Sequence, residues 1–143
     1  MERNLSTDYN DSKNEDIIKW AEKLFCLIRD ENLEIGEALH FDSYLNDLRI
    51  KDNYPLFLNY ILNQNNNKLV QAMALFLSQK EFICIKECEE KFIIDILHLS
   101  NLDLQDYALN AITLWGEVSN KDTLKDVIIK NRYLQEELDA FLA

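Results

Sequence analysis

The chain has 143 residues with 26 acidic against 15 basic side chains, a net charge of −11, and such a balance repels phosphate backbones rather than binding them. Two glycines and one proline are too few for the turns of a sheet protein, so the expected class is all-α. No apolar run reaches the roughly 18–20 residues of a membrane span, and the polar start without an apolar core, with three cysteines, points to reduced thiols in the cytoplasm.

Residues 1–13 are polar and read as a flexible arm, ahead of one helical domain over 14–143. A first helix is predicted from Asn14 to about Asp30, because Ile17, Trp20, Ala21, Leu24, Phe25 and Ile28 recur at three- and four-residue steps. Asn32 offers a cap for a second helix over Leu33–Lys51, with Ile35, Ala38, Leu39, Leu45 and Leu48 as its stripe and Gly36 tolerated near its start. Pro55 suits the first turn of a third, where its missing N–H costs nothing. The asparagine run 63–67 is a polar connection ending in a cap. Helix four then covers Lys68–Gln79 and helix five Ile85–Leu99. Helix six covers Leu104–Gly116, capped by Asp103 and stopped by Gly116. Ser119-Asn120-Lys121-Asp122 imitates a capping box before helix seven, Asp122–Lys130, and helix eight takes Tyr133–Leu142.

The chain also matches itself at an offset near 36 residues. Ala72-Met73-Ala74-Leu75-Phe76 lies on Ala108-Leu109-Asn110-Ala111-Ile112, and Cys88, Phe92 and Ile93 fall on Leu124, Ile128 and Ile129. In the other direction Phe92, Ile94 and Leu97 fall on Leu56, Leu58 and Ile61. Such a period with helical spacing inside it marks stacked helix pairs. The expected architecture is a short α-solenoid of about eight helices. Helices two and three, four and five, and six and seven pair, while one and eight cap the ends.

The segment Leu104–Gly116 resembles the HEAT-repeat family through the small residues Ala108 and Ala111, the Ala-Leu-x-Ala-Ile run and the closing Gly116. The resemblance covers residues 68–130 and implies protein binding through one face of the stack.

No glycine-rich phosphate loop, nucleophile elbow or HExxH pattern occurs, so no enzyme activity and no cofactor are expected. Cys84 and Cys88 are four apart, but structural zinc needs a second pair, and they read as small core residues rather than metal ligands. His40 and His98 carry no suggestive local motif. Trp20, Phe25, Phe92, Tyr107, Trp115 and Phe141 read as core, whereas Tyr44, Tyr54, Tyr60 and Tyr133 fall nearer helix ends and are candidate interface residues.

The charge suits a cationic partner, although solubility alone would explain it equally well. In size, acidity and lack of catalytic motifs the chain is similar to bacterial toxin-immunity proteins, such as those of contact-dependent growth inhibition systems. That resemblance implies a cytoplasmic, monomeric inhibitor of a basic nuclease toxin, with carboxylates standing in for phosphates. Since the second helix of each pair lines one face of a HEAT-like stack, the expected partner-binding acids are Glu87, Glu89, Glu90, Asp95, Asp122 and Asp126. Glu34, Glu37, Asp42 and Asp47 form a second cluster. An adaptor module for protein–protein interaction is the alternative, and it would show an exposed apolar patch.

Overall fold

The computed structural model describes residues 2–34 and 40–143, the side chains of residues 2–13 excepted. It is all-α, a short helical solenoid. Its elements are α1 (Glu2–Ile28), α2 (Asp42–Arg49), α3 (Tyr54–Leu62), α4 (Asn67–Ser78), a 3-10 turn (Phe82–Cys84), α5 (Glu87–Leu97), α6 (Leu102–Trp115), α7 (Asp122–Lys125) and α8 (Arg132–Leu142).

The 36-residue match is a match of packing positions. Ala72 and Ala108, Met73 and Leu109, Leu75 and Ala111, and Phe76 and Ile112 are all buried, and they belong to α4 and α6, which pack against each other. Ala72, Ala108 and Ala111 are the small residues among them and take little room between the two helices. α1 lies against both α3 and α4, and α3 against α5. Helices therefore stack mainly on the next but one, α1 on α3 on α5 and α4 on α6 on α8, with α5 also against α6. None of the expected pairs, helices two and three, four and five, or six and seven, is among the principal contacts of the described residues.

Asparagine side chains set the starts of α4, α6 and α8. Asn66, Asn101 and Asn131 each accept the backbone N–H of a leucine three residues on, at 3.4, 3.0 and 3.1 Å, which satisfies an amide the helix leaves free. Asn101 displaces Asp103, the expected cap of α6. Pro55 falls in the first turn of α3, as its chemistry requires. Buried side chains then clasp helix ends together: Trp115 Nε1 donates to the Leu77 carbonyl at 2.9 Å, and Gln105 Nε2 donates to those of Leu97 and Leu99.

Four expected boundaries moved. α1 begins well before Asn14, within the segment expected as an arm. The second helix does not run from Leu33: the Tyr107 hydroxyl donates to the Leu33 carbonyl, holding that residue off a helical path, and α2 starts at Asp42. The expected contributions of Ile35, Gly36, Glu37, Ala38 and Leu39 lie outside the described residues. α5 starts late because Ile85 and Lys86 are extended. α7 has only four residues, since the β-branched run Val127-Ile128-Ile129 disfavours helix and the Ile129 N–H goes to the Gln135 side chain instead. Ser119 does not cap α7; its hydroxyl is engaged elsewhere.

Gly116 ends α6 in the left-handed region with φ +78°, its N–H returning to the Ile112 carbonyl at 3.0 Å. A Cβ there would meet nothing within 4 Å, so the cost of Gly116→Ala is backbone strain alone, expected at about 1 kcal/mol. Thermal denaturation checks this, and an unchanged midpoint would show that the turn relaxes.

Candidate interaction cleft

α5 carries its acids on several sides, and the structure sorts them. Glu89 is fully buried. Its carboxylate receives Arg49 Nε and Nη2, both at 2.7 Å, the Tyr54 hydroxyl at 2.5 Å and the Lys86 N–H at 2.8 Å. Arg49 also donates to the Cys84 carbonyl at 2.6 Å, and the Lys86 ammonium donates to the Arg49 carbonyl. One carboxylate thus joins α2, α3, the segment after the 3-10 turn and α5. The paired guanidinium is held more firmly protonated by its hydrogen bond to Glu89, and burial, with the Glu89 charge next in weight, drives the Tyr54 hydroxyl far above the ordinary tyrosine range.

Glu90, the next residue, is also buried and turns the other way. It accepts the Ser119 N–H at 2.7 Å and the Ser119 hydroxyl at 2.6 Å, tying the α6–α7 connection to α5. Expected among the partner-binding acids, Glu89 and Glu90 are instead internal fastenings, withdrawn from any partner by burial.

Between α5 and that connection lies a cleft of about 610 Å³. Glu87, Lys91, Ile94, Asp95 and His98 line the α5 side together with Glu90 and Ile85; Ser119, Asn120 and Thr123 line the other. Glu87 is exposed and has the cleft before it. Asp95 is half-buried and pairs with Lys91 at 2.6 Å, a contact open enough to solvent to exchange for another cation. Three carboxylates against one ammonium leave the cleft acidic, and Ile85 and Ile94 give it apolar walls. Asp122 and Asp126 are exposed on and just after α7, beside Thr123 but not lining the cleft, and Asp122 pairs with Lys125 at 2.6 Å.

The second expected cluster does not join this cleft. Glu34 is exposed and accepts from Asn32 at 2.7 Å, Asp42 is half-buried and accepts from Asn46 at 2.9 Å, Asp47 is exposed on α2, and Glu37 lies outside the described residues.

The tyrosines also divide. Tyr54 is core, and Tyr44 is half-buried, donating to the Trp20 carbonyl at 3.1 Å, with burial pushing its hydroxyl up to about 12. Tyr60 is half-buried, and Tyr133 is exposed. Of the aromatic residues expected as core, Phe92 and Trp115 are buried, while Trp20, Phe25, Tyr107 and Phe141 pack against the core from its edge.

The cysteines depart from the expected core positions. Cys84 is exposed in the 3-10 turn and Cys88 is half-buried in α5, so the two do not share one helical face. Burial, aided by the neighbouring Glu89 charge, pushes the Cys88 thiol up, away from the thiolate form that binds metals or attacks substrates. Among the described residues no group of three His, Cys, Asp or Glu is placed to hold a metal ion, and no helix is long and apolar enough to cross a membrane.

A smaller cleft of about 310 Å³ adjoins the first. His98 lines both; Leu102, Gln105, Ile128 and Lys130 are among the residues around the second. Neither Leu102 nor Ile128 was anticipated as a surface residue. Ile128 is 85% exposed although its repeat partner Phe92 is buried, and because both residues are apolar the repeat itself carried no signal of that exposure. No family model matches the chain, and no curated protein or solved structure matches it either.

Proposed function

We propose that the chain is a binding protein that neutralises a cationic protein partner, in the manner of an immunity protein directed at a basic nuclease toxin, with a HEAT-like stack as its scaffold. The observation that carries this reading is the acidic cleft, where Glu87 and Asp95 stand at an opening whose walls are apolar and whose frame is fastened by buried polar contacts. A preformed acidic concavity on a strongly acidic molecule speeds encounter with a basic surface and fixes its orientation. Carboxylates in such a cleft occupy the place that nucleic-acid phosphates take in a nuclease groove.

The test is a titration of the protein into a basic nuclease toxin domain, read as loss of nuclease activity and as binding at two salt concentrations. Glu87→Lys with Asp95→Lys is expected to weaken the complex by about tenfold or more at low salt and by less at high salt. Equal affinity for wild type and variant at both salts would remove the cleft from the interface.

The adaptor reading has one observation in its favour. Ile50 and Ile83 are both strongly exposed, on either side of the Arg49–Cys84 contact, and a neutral partner would bury them. Tight binding that responds to Ile83→Ser and ignores salt would favour it.

A further inference from the structure

We propose that the two clefts meeting at His98 form one groove that docks an extended partner segment with basic side chains in one half and apolar side chains in the other. This deepens the proposed binding function and rests on it. The groove follows α5 from Glu87 to His98, then crosses to the connection between α7 and α8.

The two halves differ in chemistry. The first holds Glu87 and Asp95, whose only cationic neighbour in the cleft, Lys91, is already paired with Asp95. The second holds Leu102 and Ile128, 47% and 85% exposed, with Lys130 beside them. Lys130 repels a second cation, so basic side chains are directed to the α5 half and apolar ones to the other. The register of the occupant is thereby set by charge.

Length is consistent with a short segment. The eleven residues of α5 rise about 16 Å at 1.5 Å per residue, which about five residues of extended chain cover at 3.3 Å each.

The probe is an octapeptide with two lysines in one half and two leucines in the other, titrated into isotopically labelled protein and followed by amide chemical shifts. Shifts are expected at Asp95, His98 and Ile128 together. Replacing both leucines by serine, or introducing Ile128→Asp, is expected to weaken binding about tenfold, the scale of one buried aliphatic side chain. Ile128→Asp alters an exposed residue, and its unliganded spectrum reports that the fold is kept. If the serine peptide binds as well as the leucine peptide, or Ile128→Asp changes nothing, the apolar half is not used and the inference falls while the acidic cleft stands. Absence of binding by either peptide also overturns it. The nuclease titration with Glu87→Lys and Asp95→Lys judges the underlying reading separately.

Discussion

Replacing Arg49 with methionine is expected to destabilise the fold by about 3–5 kcal/mol, because it strands a buried carboxylate without its counter-charge. Glu89 has no exposed surface and Arg49 is 14% exposed at its side chain, so water cannot take the place of the guanidinium. The Tyr54 hydroxyl and the Lys86 N–H still reach Glu89, but neither carries a formal charge to it. Arg49→Lys is expected to be nearly as damaging, since an ammonium cannot reproduce the two-pronged contact made by Nε and Nη2. The informative control is Arg49→Met combined with Glu89→Met, which removes both charges and is expected to recover part of the loss. Urea denaturation of the three variants measures this. A single Arg49→Met costing under about 1 kcal/mol, the range of exposed pairs, would mean that the pair is solvated.

Phe57→Ala is expected to cost a similar amount, about 3–5 kcal/mol, through the cavity it leaves. Phe57 has no exposed surface. Its ring meets the edge of Trp20 with centroids 6.0 Å apart and stacks on Tyr54 at 6.3 Å, so it joins α1 to the helix that supports the Glu89 network. Phe57→Leu is expected to lose much less, as it retains most of the apolar volume. Because Tyr54 touches both Phe57 and Glu89, the losses from Phe57→Ala and Tyr54→Phe are expected not to add, with a coupling of about 0.5 kcal/mol or more. Additive losses in thermal denaturation would show that the aromatic stack and the ion pair are independent.

These two sites mark the boundary of what the sequence disclosed. Periodicity located α3, α4, α6 and α8, because their boundaries are written in local chemistry: Pro55 in a first turn, Asn66 accepting an amide three residues on, Gly116 at a positive φ. The fate of Glu89 is not local. Its partner Arg49 lies 40 residues upstream on another helix, and no pattern within α5 names it. A partial signal existed, since Glu89 and Glu90 stand four and three residues before the buried Ile93 and so extend the apolar stripe of the helix. Acids in that position are either misplaced or paired within the fold, and the reading of them as partner-binding acids assumed neither. The cleft was half legible for the same reason. Glu87 and Asp95 follow from helical spacing, whereas His98 and Ile128 depend on how α5 meets the short α7 and the chain beyond it. The pairing of the helices was misjudged because an apolar stripe looks the same whichever neighbour it meets; only the contacts of α1 with α3 and α4, and of α3 with α5, decide that.

Glu89 and Glu90 are consecutive on a helix, so their side chains leave its axis about 100° apart. One is anchored to α2 and α3, the other to the connection after α6. Two tethers at different azimuths prevent a rod from turning about its own length, which a single tether or a smooth apolar stripe does not. The direction in which α5 points Glu87, Ile94 and Asp95 is therefore locked at its first turn, and whatever meets that helix meets a fixed compass bearing.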